Sequence, residues 1–287
     1  MNVLSVRGLT HVYGQGTSSE AVALNNCSFD IEKGELVGII GHTGSGKSTL
    51  IQHFNGLLKP TSGQVLLNGK DINESKESIV QSRFKIGLCF QYPEYQLFEE
   101  TVAKDIAFGP KNMKLDEKEI NRRVLQCIEY VGLDKSYLDK SPFDLSGGEK
   151  RRVAIAGVMA MEPEILVFDE PTAGLDPKGR DTIFGLIREY REKTGSTVIV
   201  VSHSMEDVAK LATKALVMNK GTVAMYGSID DVYSRADELV TMGLNVPQIT
   251  RIFMKLKAEG LPICGNIYTV EQGVNEIIRL KKEGYSL

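Results

Sequence analysis

The sequence predicts an α/β fold: a parallel sheet flanked by helices, with an antiparallel β lobe, an inserted α-helical subdomain and a small helical C-terminal appendage. Three observations carry this. A glycine-rich turn, GHTGSGKST, follows an apolar strand and opens a helix. From Glu164 to Leu211, apolar strand patterns alternate with helical ones, which is the rhythm of parallel βαβ units. Between Thr101 and Met161 the apolar positions recur at helical spacing.

Taken in order, the runs LSVRGL, NNCSFDI, ELVGII and GQVLLNG sit among glycine and asparagine turns through about residue 70, interrupted by one helix after Lys47. They predict a β-rich lobe joined to an α/β core. Ile120, Val124, Leu125, Ile128 and Val131 then mark the helical subdomain over about 101–161. ILVF and VIVV follow as buried strands, and KALVMNKGTVAMYG reads as a hairpin turning at Asn219-Lys220-Gly221. A first domain is expected over 1–228 and an appendage over 229–287. In the appendage Val246, Ile249, Phe253 and Leu256 mark one apolar stripe. Val270, Val274, Ile277 and Ile278 mark another, behind a capping box of Thr269 and Gln272. The pattern fits a helical pair packed on its own domain and a dimerisation element equally well.

The chain has 287 residues, 42% of them apolar and 25% charged, enough for a sizeable core without staples. A net charge of −3 argues against a surface that tracks phosphate backbones, so nucleic acid is not expected as a main partner. Cys27, Cys89, Cys127 and Cys264 are far apart, without zinc-site or disulfide spacing, and read as reduced thiols. The amino terminus lacks a charged-then-apolar leader, and the longest apolar runs are far below spanning length, so no bilayer crossing is expected.

Gly41, Gly44, Gly46, Lys47 and Ser48 stand in the spacing G-x-x-x-x-G-K-[ST], with Thr43, Ser45 and Thr49 in the same turn. Glycines let successive backbone N–H groups converge on phosphate oxygens, and the helix that follows adds its positive end. Lys47 is suited to neutralise β- and γ-phosphates, and the Ser48 hydroxyl to ligate Mg²⁺. Asp169 ends the apolar run ILVF and would hold the metal; Glu170, next to it, is placed to act as general base on a water. Asp176 and Pro177 supply a cap and first-turn proline for the next helix.

The segment LSGGEKRRVAIA, Leu145–Ala156, resembles the signature sequence of ATP-binding cassette (ABC) ATPases. Ser146, Gly147 and Gly148 present a hydroxyl and free amides at a helix start, a second anion-binding device. The resemblance implies that two cassettes pack head to tail, with each ATP held between the Lys47 loop of one and the signature helix of the other. It further implies that Tyr13 stacks on adenine and that Gln91 links Mg²⁺ and the attacking water to a transmembrane partner. Asp176, in AGLD, would lie in the loop that crosses the dimer interface, and His203 would contact the γ-phosphate. The fifth signature position, often glutamine, is Glu149 here.

FQYPEYQLF and the later FGP (Phe108 to Pro110) resemble energy-coupling factor (ECF) ATPases, and PFDLSGGEKRRVAIAGVMAMEPEILVFDEPTAGLDPKGR resembles the second ATPase of the shared-module type. That resemblance implies an ATPase subunit of a vitamin or metal-ion importer at the cytoplasmic face of the cell membrane. It would pair with a paralogous ATPase, or a second copy, through the helical tail. A transmembrane coupling subunit would dock near Gln91 to Phe98, carrying a substrate-binding membrane subunit. The alternative in view is a soluble cassette ATPase, such as one serving iron–sulfur cluster assembly.

Overall fold

The computed structural model describes residues 1–285. The β lobe is a four-stranded antiparallel sheet in the order β2-β1-β4-β5. It is formed by β1 (Asn2–Tyr13), β2 (Ala21–Glu32), β4 (Ser62–Leu67) and β5 (Lys70–Asp71). The second sheet has six strands in the order β10-β9-β3-β8-β7-β6. Its parallel part comprises β3 (Leu36–Ile40), β6 (Ile86–Cys89), β7 (Ile165–Asp169), β8 (Thr197–Val201) and β9 (Lys214–Asn219), and β10 (Thr222–Ser228) adds an antiparallel edge.

Every residue of β3, β7 and β8 is buried, which explains their unbroken apolar runs: both faces are covered. Side-chain alternation then splits the core in two. Leu166, Phe168, Val198 and Val200 face a cluster with α3 (Val102–Asn112), α4 (Glu117–Tyr130), α5 (Gly147–Met159) and α6 (Pro177–Thr194). Ile165, Val167, Ile199 and Val201 face the β lobe and α1 (Lys47–Phe54).

The expected β-rich start, inserted helices, alternating βαβ segment and hairpin are all present. One helix and one strand between the β lobe and the helical insertion carried no assignment in the sequence: α2 (Lys76–Lys85), capped by Ser75, and the edge strand β6. Ser82 is the one buried residue of α2, so no apolar stripe marks the helix.

After β10 come α8 (Ile229–Tyr233), α9 (Ala236–Thr241), α10 (Gln248–Ala258) and α11 (Val270–Lys282), with α7 (Met205–Leu211) beneath them. Val232, Tyr233, Ala236 and Leu239 pack with Met205, Val208 and Val217 in a third cluster. The expected capping box is made: Thr269 accepts from the Gln272 N–H, and the Gln272 side chain accepts from the Thr269 N–H. The apolar stripe of α11 does not pack inward. Val270, Val274 and Ile278 are 66%, 50% and 46% exposed, whereas Gly273, Glu276 and Leu280 form the buried face. Gly273 decides this, because its missing side chain leaves room for Ile249 and Phe253 of α10. Among the described residues no helix is long and apolar enough to cross a membrane.

Candidate nucleotide site

The glycine turn between β3 and α1 closes over a buried base. Gly46, at φ 101°, could not carry a side chain there: a Cβ would sit 2.6 Å from the Ala23 carbonyl oxygen. Ser45 is fully buried, and its backbone carbonyl accepts the Gly221 N–H at 3.0 Å, fastening the turn to the β9–β10 hairpin. Lys47 is 6% exposed and folds back so that Nζ donates to the carbonyls of Gly41 (2.6 Å) and His42 (3.1 Å). Burial lowers its pKa, against the pull of Glu170 and Asp169.

A cleft of about 320 Å³ opens in front of this turn. The turn and α1 line it with Thr43, Gly44, Gly46, Lys47, Ser48 and Thr49. Gln91 enters from beyond β6, Asp169 and Glu170 from the end of β7, and His203 from just beyond β8. Because β3, β8, β7 and β6 lie parallel side by side, their carboxyl ends deliver all four contributions to one edge of the sheet.

Asp169 is 8% exposed; burial raises its pKa, and a hydrogen bond from Ser48 opposes that rise. At Glu170 the backbone turns to φ 51°, a left-handed conformation unusual for glutamate, while its N–H donates to the Val201 carbonyl at 3.0 Å. Burial pushes the Glu170 carboxyl up to about 7, with Asp169 repelling its charge and the His203 N–H opposing both. That N–H donates to Glu170 Oε2 at 3.4 Å. His203 Nε2 lies 3.2 Å from Oε1 but out of line for a hydrogen bond, so Oε1 has no donor. Burial, followed by Lys47, lowers the His203 pKa.

Other residues singled out in the sequence stand apart from the cleft. Gly41 and Ser45 lie behind the turn. Tyr13, 43% exposed, meets α1 through its hydroxyl, 3.2 Å from Thr49 Oγ1, and stacks edge-on against His11. Asp176 caps α6, accepting the Gly179 N–H at 2.7 Å. Ser146, Gly147 and Gly148 are exposed at the start of α5 and do not line the cleft. Glu149 turns back on them: one carboxylate oxygen accepts the Ser146 N–H (2.8 Å) and hydroxyl (2.6 Å), and the other accepts the Tyr137 hydroxyl at 2.8 Å. These bonds, Ser146 first, hold its carboxyl down to about 2.

Sequence reading missed Arg151. Only 3% exposed, it forks onto Glu94 at 2.7 and 3.0 Å and donates to the carbonyls of Pro171 and Ala173. It thereby ties the aromatic segment after Gln91 to the signature helix and to the loop after Glu170. A charged residue on the inward face of an apolar helix was the signal available.

A parallel sheet with a glycine-rich phosphate turn, paired acids at the end of a neighbouring strand and a signature helix defines an ATP-binding cassette. The chain belongs to the ABC transporter family, whose model matches residues 24–173. Within it the chain groups with energy-coupling factor ATP-binding proteins. It is similar to the energy-coupling factor transporter ATP-binding protein EcfA2 of Clostridium tetani, 54% identical over 96% of both chains. To the EcfA2 of Clostridium perfringens it is 52% identical over 96% of this chain and 98% of that protein. Among solved structures it resembles cbiO1 from Clostridium perfringens, described as part of the ABC transporter complex cbiONQ. The TM-score is 0.75 at 39% identity, covering 88% of this chain and 99% of that one. It also resembles a dimeric ATP-binding cassette in a post-hydrolysis state bound to ADP and Pi, with TM-score 0.70, 30% identity, and coverage of 79% and 98%.

Proposed function

We propose that this chain is the ATP-hydrolysing subunit of an ECF-type importer, and that the cleft around Lys47 is its catalytic site. The observation that carries the reading is the convergence of Lys47, Ser48, Gln91, Asp169, Glu170 and His203 on one cleft from four adjacent strand ends. Backbone amides of the Gly44–Thr49 turn and the ammonium of Lys47 bind the phosphates. The donors Ser48, Gln91 and Asp169 are hard oxygens of the kind Mg²⁺ prefers. Bound there, Mg²⁺ supplies charge neutralisation on the β- and γ-phosphates.

Glu170 accepts a proton from the attacking water as its oxygen bonds to the γ-phosphorus. The bond to the β–γ bridging oxygen breaks and ADP leaves with that electron pair. The free Oε1 and a carboxyl held near neutrality suit Glu170 to this transfer. Lys47 and His203 stabilise the charge that develops on the phosphoryl oxygens. Tyr13 takes the adenine face.

Ser146, Gly147, Gly148 and Asp176 lie outside the cleft of their own chain, which supports a role at the nucleotide of a second cassette. That cassette is best read as a paralogous ATPase. The exposed Val270, Val274 and Ile278 support an association through the C-terminal helices. A groove of about 240 Å³ lies beside the segment after Gln91, lined by Leu97, Phe98, Phe108, Val153 and Met161. Phe98 and Phe108 stand edge to face at 4.9 Å, and both are about half exposed. Such a lip suits an amphipathic cytoplasmic helix of a transmembrane coupling subunit, which in turn carries the substrate-binding membrane subunit. The chain then sits peripherally on the cytoplasmic face of the membrane.

Glu170→Gln tests the reading. ATP binding by equilibrium dialysis should be retained within about twofold, while steady-state phosphate release in the assembled transporter falls by ~10²-fold or more. Near-normal turnover in that variant would remove Glu170 from the chemistry.

A further inference from the structure

Tyr13 is backed by a short row of rings that leads to the helix of the phosphate turn. His11 lies edge-on to Tyr13, with ring centroids 4.5 Å apart, and the His53 ring of α1 lies edge-on to His11 at 4.7 Å. Thr49, one turn before His53 on the same face of α1, places Oγ1 3.2 Å from the Tyr13 hydroxyl. β1 and α1 therefore meet at two rungs, Tyr13 with Thr49 and His11 with His53. The register of β1 against β2 shifts on both sides of His11, an irregularity of the kind that re-aims a side chain. His11 is 8% and His53 0% exposed, and Nδ1 of His11 and both ring nitrogens of His53 lack a hydrogen-bond partner among the described residues. The two imidazoles engage their neighbours mainly through ring planes, and edge-to-face contacts fix the angle between rings. Tyr13 itself remains 43% exposed, which leaves ring surface open to a ligand.

We propose that His11 is a positioning residue for the adenine base: with His53 behind it, it sets the angle of the Tyr13 ring and the distance of that ring from the phosphate turn. The inference rests on the reading that Tyr13 takes the adenine face. Lys47, Thr49 and His53 belong to one helix, so a Tyr13 ring held against α1 keeps a fixed spacing from the phosphate-binding residues, and one nucleotide must match both ends at once. His11 does not line the phosphate cleft, so loss of its ring acts on the base and not on the phosphates.

The test is isothermal titration of the full chain with Mg²⁺ and either ADP, which carries the base, or pyrophosphate, which does not. His11→Val should weaken ADP by about tenfold and leave pyrophosphate within about twofold, the pattern also expected of Tyr13→Ala. His11→Phe, which keeps a ring, should restore ADP binding to within about threefold of the unsubstituted chain. His53→Leu, which removes the ring behind His11, should weaken ADP about threefold with pyrophosphate unchanged. Unchanged ADP affinity in His11→Val, beside a loss in Tyr13→Ala, would overturn the proposal and leave the adenine reading standing; no loss in Tyr13→Ala would remove both. Equal losses of ADP and pyrophosphate in His11→Val would reduce His11 to a structural support and overturn the proposal as well, as would failure of His11→Phe to restore ADP binding.

Discussion

Glu170 and Gly46 hold backbone conformations that sequence alone does not announce, and each is tied to a contact. A left-handed glutamate costs on the order of 1 kcal/mol, and here it ends β7 so that the carboxyl enters the cleft instead of continuing along the strand. Gly46→Ala places a methyl against the Ala23 carbonyl in a left-handed turn. Nucleotide affinity, read by fluorescent ATP-analogue titration, should fall by about tenfold or more. His53 makes a different point. It is fully buried on α1, with neither ring nitrogen hydrogen-bonded and its ring 4.7 Å from His11. Burial, with His11 adding, lowers its pKa to about 4. An unfolded histidine titrates near ~6.5, so below that pH the unfolded chain takes a proton that the folded chain refuses, and stability falls as pH falls toward 4. The loss from this group between pH 7 and 5 is about 2 kcal/mol, and His53→Leu should flatten that part of the pH dependence in urea unfolding.

At the scale of elements, Arg151 joins three pieces that the proposed function needs to move together: α5, the aromatic segment after Gln91, and the loop after Glu170. Breaking a buried pair leaves an uncompensated charge, so Arg151→Met should destabilise the chain by about 3 kcal/mol in urea unfolding. Glu94→Gln keeps an acceptor for the guanidinium and should cost less, about 1 kcal/mol. These elements were legible to different degrees. β3, β7 and β8 could be read because burial on both faces leaves each of them a run without a charged or polar residue, broken only at the ends by Asp169 in β7 and Thr197 in β8. The α11 capping box was legible because it is local, needing only residues 269 and 272. α2 escaped because a helix with one buried residue has no apolar period to read, and β6 because four residues are too few to establish one.

At the scale of the whole molecule, the described residues present two apolar surfaces to partners, the α11 stripe and the groove beside Phe98. Val274→Asp adds a charge to an exposed position, so the melting temperature should stay within the shift expected for about 0.5 kcal/mol. Association with the proposed second ATPase, measured by sedimentation velocity at micromolar protein, should weaken by about tenfold or more. The C-terminal helices are also fastened to α7, since Tyr233 donates to Met205 and the Gln248 N–H donates to Glu206 at 3.1 Å. α7 begins two residues after His203, so appendage and nucleotide cleft share one short helix.

The sequence by itself determined the phosphate turn, the acids at the end of β7, the signature helix and the succession of strands and helices. Each is written in neighbouring residues, as a spacing or a period. Tertiary structure alone decided that four strand ends meet at one cleft, that Arg151 meets Glu94 across fifty-seven positions, and that α11 turns its valines outward. The physical reason is that such outcomes depend on which surfaces remain after distant segments have packed. Gly273 buries its side of α11 only because Ile249 and Phe253 arrive to fill the space a side chain would have taken.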